Sequence, residues 1–216
     1  MAGSGRGHIF VIAAPSGTGK TTICRRILET DPGLELSVSH TTRRPRAGEV
    51  DGVAYHFVDT RRFRELVEAD AFLEHAEYGG NAYGTSWAAI EAPRAAGRDV
   101  VLEIEVQGAE QVRKRMDDAV LIFLLPPSLA VLEERLRGRG TDDEEVIQRR
   151  MALVDRELAA ATHFDYAIVN DDLDRAVRQV LDVIEAVRSE ATGRIAREHG
   201  RERVLAAWWA TQRRPG

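Results

Sequence analysis

The stretch that most constrains the fold is Ala14-Pro15-Ser16-Gly17-Thr18-Gly19-Lys20-Thr21. It lies between an apolar run, His8-Ile9-Phe10-Val11-Ile12-Ala13, and a helical segment, Thr22-Ile23-Cys24-Arg25-Arg26-Ile27-Leu28. The order strand, glycine-rich loop, helix predicts a phosphate cradle. Glycines let the backbone turn its N–H groups toward an anion, the helix N-terminus adds a favourable dipole, Lys20 reaches terminal phosphates, and the Thr21 hydroxyl can ligate magnesium. A nucleoside triphosphate is the expected guest. Ala14 stands where such loops usually begin with glycine, which the looser form of the pattern permits. A turn that binds nothing is the alternative, and the flanking strand and helix argue against it.

With 216 residues and 44% hydrophobic content the chain can bury a substantial core as one globular unit with insertions. Its net charge of −5 argues against a protein that coats nucleic acid, which would carry a basic stripe. Cys24 is the only cysteine, so no intrachain disulfide can form. Its position predicts a small buried apolar residue and fits a reducing cytosol. The N-terminal apolar run is too short for a membrane span and leads straight into the loop, so neither a membrane segment nor a targeting segment is read.

Beyond the first helix, Leu34 to Ser39 alternates like a strand, and the arginine-dense Thr41 to Gly52 holds too many turn formers for a helix. Tyr55 to Val58 predicts a short strand, Thr60 a cap on a helix over Arg61 to Ala69, Phe72 to Tyr78 a strand, and Gly79-Gly80-Asn81 a turn. A helix is expected over Ser86 to Ala96, then a strand over Val100 to Val106, and another over Val120 to Leu125 stopped by Pro126-Pro127. Helices from Ser128 to Arg137 and from Thr141 to about Thr162 precede the strand Tyr166 to Val169. A helix over Leu173 to about Ala191 and a charged terminal helix from about Ile195 complete the chain. Apolar strands separated by helices predict an α/β fold with a parallel sheet covered on both faces and ligands at the strand C-terminal ends.

Three groups of side chains carry chemistry. Arg43, Arg46 and Tyr55 sit among turns, where guanidinium forks match phosphate oxygens and a phenol adds a donor; a solvated basic loop is the alternative. Arg135, Arg137 and Arg139 flank a glycine break, with Arg149 and Arg150 one helix later, and could close over a triphosphate and neutralise a transferring phosphoryl group. Surface pairing with Glu133, Glu134, Glu144 and Glu145 stands beside that reading. Glu74, Glu103 and Glu105 are read as carboxylates ending apolar strands, hence as base readers or magnesium organisers. Guanine offers N1–H and a 2-amino group, both donors to a carboxylate, and Ser39 and Thr85 could answer its O6. Backbone capping or pairing with arginine is the structural alternative. His40, His56, His75 and His163 lack metal-ligand spacing. Trp208 and Trp209, with Val204 and Leu205, form an apolar stripe that packs on the body or on another subunit.

Taken together, these segments resemble the bacterial guanylate kinases. The likeness rests on Ala13 to Lys20, Ser37 to Arg43, Pro45 to Glu49, Phe72 to Ala76, Tyr83 to Thr85, Gln107 to Ala109, Leu124 to Ser128, Arg135 to Gly140 and Ile168 to Asp172. It implies a P-loop core with a five-stranded parallel sheet over 1–36, 88–134 and 151–190. It further implies a small mixed GMP-binding insertion over 37–87 and a lid over 135–150, with 191–216 as a helical tail. The implied reaction is magnesium-dependent transfer of the γ-phosphoryl group of ATP to GMP or dGMP, in the cytoplasm, as part of purine nucleotide salvage. The GMP set so implied is Ser39, Arg43, Arg46, Tyr55, Glu74, Tyr83, Thr85, Glu103, Glu105 and Gly108. The ATP set is Ala13, Ala14, Pro15, Ser16, Gly17, Thr18, Gly19, Lys20, Thr21 and Thr22, with Arg135, Arg139 and Asn170. Lys20, Arg43, Arg46, Arg139 and Arg150 would serve the transfer itself and Thr21 the magnesium.

Glu105 stands where many relatives have aspartate, and Thr85 where some have serine. No nucleic-acid or membrane partner is implied, and self-association through the tail is an option. Two rivals remain: a noncatalytic module of this fold that binds a phosphorylated peptide, against which the intact Gly17, Gly19, Lys20 and Thr21 speak, and a kinase for a ribose phosphate, which would not need Glu74, Thr85 and Glu105 as a set.

Overall fold

A computed structural model describes residues 5–137 and 144–212, except for the side chains of residues 144–146, 149 and 150. In chain order the elements are β1 (Ile9–Ala13), α1 (Lys20–Thr30), β2 (Leu34–Leu36), β3 (His40–Thr41), β4 (His56–Phe57), α2 (Thr60–Glu68), β5 (Phe72–Tyr78), β6 (Asn81–Ser86), α3 (Ala88–Ala95), β7 (Asp99–Glu103) and α4 (Val106–Arg115). They continue with β8 (Ala119–Leu125), α5 (Leu129–Arg137), α6 (Glu144–Ala160), a 3₁₀ turn (Ala161–His163), β9 (Tyr166–Val169), α7 (Leu173–Arg188), α8 (Thr192–His199) and α9 (Arg201–Gln212). One sheet has five strands in the order β2-β7-β1-β8-β9, with β2 parallel to β7 and β8 parallel to β9. A second has four, in the order β4-β3-β6-β5. The expected α/β architecture, with a five-stranded parallel sheet beside a small mixed one, is what the chain forms.

The chain divides into two compact units. The first comprises residues up to Val11 with Asp31–Ala119 and holds the mixed sheet. Here β5 and β6 form an antiparallel hairpin closed at Gly79 and Gly80, with a register shift between Phe72 and Glu74. β5 is an edge strand, and edge strands expose unpaired backbone groups. Helix α4 satisfies several of them. Gln111 Nε2 donates to the His75 carbonyl (2.7 Å) and Gln111 Oε1 accepts from the His75 N–H (3.2 Å). Arg115 donates to the carbonyls of Phe72 and Leu73 at 2.6 and 3.1 Å. In the same unit Arg94, 3% exposed, donates through Nε to the Gly7 carbonyl and pairs with Asp118.

The second unit comprises Ile12–Thr30 and the chain from Val120 onward. Phe123 and Phe164 meet edge to face at 5.0 Å within its core. Asp172 caps α7 by accepting from the Arg175 N–H, and Ala176, Val177, Val180, Val183 and Ile184 make its buried stripe. Cys24 is buried, as expected. Leu205 and Trp208 are buried on the chain's own body, whereas Trp209 is 36% exposed.

Several sequence expectations are corrected. Helix α2 is capped by Asp59, whose carboxylate accepts from the Arg62 N–H; Thr60 is its first residue. The strand expected to run to Val106 stops at Glu103, and α4 follows it. Helix α4 leaves little trace in the sequence, since only Val106, Ala109 and Val112 mark its apolar face. Strand β6 leaves as little: it carries Gly84 and polar residues, so it shows no alternation, and α3 starts only at Ala88. Strand β2 ends at Leu36 rather than at Ser39, and Gly200 splits the terminal helix into α8 and α9. The Thr141 cap lies outside the described residues.

Candidate active site

The phosphate loop joins β1 to α1. Its sharp return requires positive φ at Gly17 (93°) and Gly19 (98°), which glycine adopts without a Cβ penalty. Space demands glycine as well: a Cβ on Gly19 would fall 2.7 Å from Asn170 Nδ2, and one on Gly17 would press on Leu132 and Leu136. Ala13, Ala14 and Pro15 are buried, Ser16 and Thr22 are half-buried, and Ile23 N–H closes the first helical bond on the Gly19 carbonyl (3.2 Å).

Thr18 is fully buried. Its carbonyl accepts from Asn170 Nδ2 at 2.7 Å and, at 3.5 Å, from Arg135 Nη1. Asn170, one of the residues expected to serve ATP, thus braces the loop backbone. Lys20 and Thr21 open α1, and no acidic residue occupies its first turn, so the positive end of the helix dipole is left for an anion. Magnesium takes few protein ligands and completes its shell with phosphate oxygens and water, so the single hydroxyl of Thr21 at this helix start fits the ion.

In the other unit, Ser39, Thr85 and Glu74 form a continuous hydrogen-bonded chain. Thr85 Oγ1 donates to Glu74 Oε1 at 2.6 Å, and Ser39 Oγ lies 3.0 Å from Thr85 Oγ1. A hydroxyl has one proton, and that of Thr85 goes to the carboxylate; Ser39 must therefore donate to Thr85. In this arrangement both hydroxyl protons are engaged within the chain itself.

Glu74 is not at a strand end. It is the third residue of β5 and only 3% exposed. Gly108, in the first turn of α4, makes its burial possible: a Cβ there would sit 2.3 Å from Glu74 Oε2 and 3.0 Å from Cδ. Gly108, Gln111 and Arg115 are spaced i, i+3, i+7 and so share one helix face, which the strand carrying Glu74 lies against. Gln111 and Arg115 were missed as contributors, and that spacing was the available signal. Glu103 ends β7, and Glu105 occupies the N-cap of α4 without a side-chain cap bond; both are half-buried.

A second cluster surrounds Arg43. Its guanidinium holds the Glu49 carboxylate in a two-pronged bond of 2.8 and 3.0 Å and lies over the rings of Tyr55 (5.4 Å) and Phe57 (5.8 Å). Tyr83 meets Tyr55 edge to face at 6.0 Å. The hydrogen bond to Arg43, first, and that from the Arg46 N–H hold the Glu49 carboxyl below its ordinary range, and the bond to Glu49 in turn raises Arg43. The Arg46 side chain is exposed. Glu49 was not among the expected site residues. Arg139 and the Arg150 side chain lie outside the described residues, as does the middle of the expected lid.

Comparison with known proteins agrees with this geometry. The guanylate kinase family model matches residues 6–187. Guanylate kinases of Neisseria gonorrhoeae and Escherichia coli are 53% and 50% identical over 183 and 185 residues, in each case 85% of this chain and 89% of the relative. The crystal structure of guanylate kinase from Anaplasma phagocytophilum superposes with a TM-score of 0.71 at 31% identity, covering 85% of this chain and 87% of that one. The phosphate loop, the carboxylate seated on β5 and the match over most of the sequence lead to one conclusion: the chain belongs to the guanylate kinase family.

Proposed function

We propose that the chain transfers the γ-phosphoryl group of ATP to the phosphate of GMP or dGMP, giving ADP and the guanosine diphosphate. The observation that carries the acceptor's identity is the buried Glu74 carboxylate with Thr85 donating to it. A carboxylate has about four acceptor sites, so Glu74 can take guanine N1–H and a 2-amino hydrogen while keeping its bond to Thr85. Adenine, whose N1 is a lone pair, would face that carboxylate with repulsion.

Both substrates are anions, and catalysis consists of positioning them in line and absorbing their repulsion. An oxygen of the GMP phosphate forms the new bond to the γ-phosphorus as the bond to the ADP oxygen breaks, with no covalent intermediate on the protein. The backbone of the loop from Ala14 to Gly19 and the start of α1 hold the ATP phosphates. Lys20 reaches toward the γ-phosphate, while Arg43, Arg46, Tyr55 and Tyr83 take the acceptor phosphate. Thr21 would hold magnesium, which would supply charge neutralisation to the phosphates. Arg135, Arg139 and Arg150 would close over the nucleotide and exclude water, which otherwise competes as acceptor. Among the described residues no helix is long and apolar enough to cross a membrane, and the reading places the enzyme in the cytoplasm, where a lone buried thiol stays reduced.

A coupled ADP-release assay with Mg·ATP and GMP, dGMP, AMP, CMP or UMP tests the proposal. GMP and dGMP should turn over, with the other three slower by at least about 100-fold, the discrimination expected when a site built to bond a base meets one that leaves it unpaired. Equal use of AMP would remove the base-reading role of Glu74, and turnover of none would remove the activity.

A further inference from the structure

Helices α8 and α9 lie beyond residue 187, where the family match ends. Helix α9 is tied down at both ends within its own unit. Near its start, Arg201 donates from its backbone N–H to the Asp165 carbonyl (3.3 Å) and from Nη1 to the Phe164 carbonyl (3.0 Å), while Gly200 bridges Tyr166 of β9. At its other end two side chains grip the turn between β8 and α5. Trp208, 3% exposed, donates its indole N–H to the buried Pro126 carbonyl at 2.6 Å. Gln212 Oε1 accepts the N–H of Leu129, the first residue of α5, at 3.0 Å. The amide nitrogen of Gln212 is engaged by Trp208 O and Thr211 Oγ1, which turns its oxygen toward α5.

A helix begins with N–H groups that have no partner in the helix. In α5, Ser128 Oγ satisfies that of Val131 and Gln212 that of Leu129, so a residue more than eighty positions downstream supplies part of the cap. Helix α5 is in turn the wall of the phosphate loop. Leu132 and Leu136 come within 3.2 and 3.3 Å of where a Cβ of Gly17 would stand, and Arg135 reaches the Thr18 carbonyl.

We propose that α9 is a strut that sets the position of the phosphate loop through α5, with Trp208 and Gln212 as positioning residues for ATP. The inference rests on the kinase reading only in taking ATP as the loop's guest. Neither residue touches substrate. Their influence passes from Pro126 and Leu129 along α5 to Gly17 and Thr18.

The test uses the full chain with Trp208→Phe, Gln212→Leu, Gln212→Glu and the double variant W208F/Q212L. Mg·ATP affinity is read by calorimetry without acceptor, KM for ATP and for GMP in the coupled assay, and integrity by thermal melting. Gln212→Leu should weaken ATP about fivefold, the size of a lost helix cap, with KM for GMP unchanged. Gln212→Glu, which keeps an acceptor oxygen at the helix start, should bind ATP as the parent does, and the double variant should be weaker than either single one. Unchanged ATP affinity in Gln212→Leu, or equal loss for ATP and GMP, overturns the proposal. If the double variant does not fold, the Leu and Glu variants at 212 decide. Because calorimetry needs no acceptor, a parent protein that ignored GMP would sink the kinase reading and leave this test standing.

Discussion

The phosphate loop and the Glu74 seat both depend on a glycine, for different reasons. Gly19 is held at φ 98°, a conformation that resists any side chain, and it also lies hard against Asn170. Gly108 lies inside α4, where any residue can adopt the backbone; only the space is taken, by the carboxylate of Glu74. In the proposed reading the loop takes its ligand with backbone N–H groups and so is indifferent to what the phosphates are attached to. The proposed seat would instead read with side chains already bonded to one another, Ser39 to Thr85 to Glu74, and so would tell one base from another. A methyl group at each glycine separates the two modes.

The larger effect is expected at the loop. Gly19→Ala must either strain a positive φ or displace Asn170, at a cost of about 2 kcal/mol, which corresponds to roughly 30-fold weaker ATP binding. GMP affinity should stay within about twofold. Calorimetry with each nucleotide alone checks this, and equal weakening of both would mean that loop and seat are not independent.

The same contrast shows how far the sequence could be read. The loop was legible residue by residue because its chemistry is backbone chemistry, and the sequence signal is the need for glycine between a strand and a helix. The strands Phe72–Tyr78 and Tyr166–Val169 were legible to the residue because their apolar or alternating runs are bounded by turn formers. Around the seat, Ser39, Thr85 and Glu74 could be named but their wiring could not. Glu74 read as a strand-end carboxylate because nothing local shows that Gly108 leaves room to bury it. Helix α4, which supplies that glycine together with Gln111 and Arg115, has too thin an apolar stripe to stand out beside the preceding strand. Glu49 is assigned no role by the sequence, whereas it holds Arg43 and the Arg46 backbone. For the seat the missing information was a contact made far along the chain, whereas Glu49 bonds partners three and six residues away, in a turn whose wiring no periodicity announces.

Gly108→Ala should act on the acceptor alone, and more mildly. Its Cβ would displace a carboxylate at the end of a side chain that can swing away, so KM for GMP should rise about tenfold, corresponding to about 1.4 kcal/mol of lost positioning, with KM for ATP unchanged. Alanine is favoured over glycine inside a helix by about 1 kcal/mol, so the melting temperature should hold or rise as GMP is lost. That opposition is the diagnostic. A variant that loses stability and both substrates together would show Gly108 to be a packing position and not part of base selection.

The smallest effect expected concerns pH, and it too falls on the unit holding the seat. His40, the residue after Ser39, stacks on His56 at 4.7 Å and meets Phe72 edge to face, and its buried Nδ1 has no hydrogen-bond partner. Burial, then the charges of His56 and Arg62, lower its pKa from 6.5, with Asp51 opposing. Because the folded value lies below the unfolded one, the fold binds this proton less readily. The stabilisation is complete above about pH 6.5 and is lost as the pH falls toward the lowered value. His199 is lowered by burial as well, and Glu49 by its bonds to Arg43 and Arg46, so the parent's acid loss has several sources and His40→Gln should remove only one. Melting temperatures at pH 5 and pH 8 should differ by a few degrees less in His40→Gln than in the parent. KM for GMP should rise more in the parent than in the variant as the pH falls from 8 to 5, since a charged ring beside Ser39 disturbs the hydrogen-bonded chain that ends at Glu74, while protonation of the GMP phosphate affects both alike. KM for ATP, bound by a loop with no histidine, should show neither change, and a parallel pH response of the two substrates would break the separation between loop and seat.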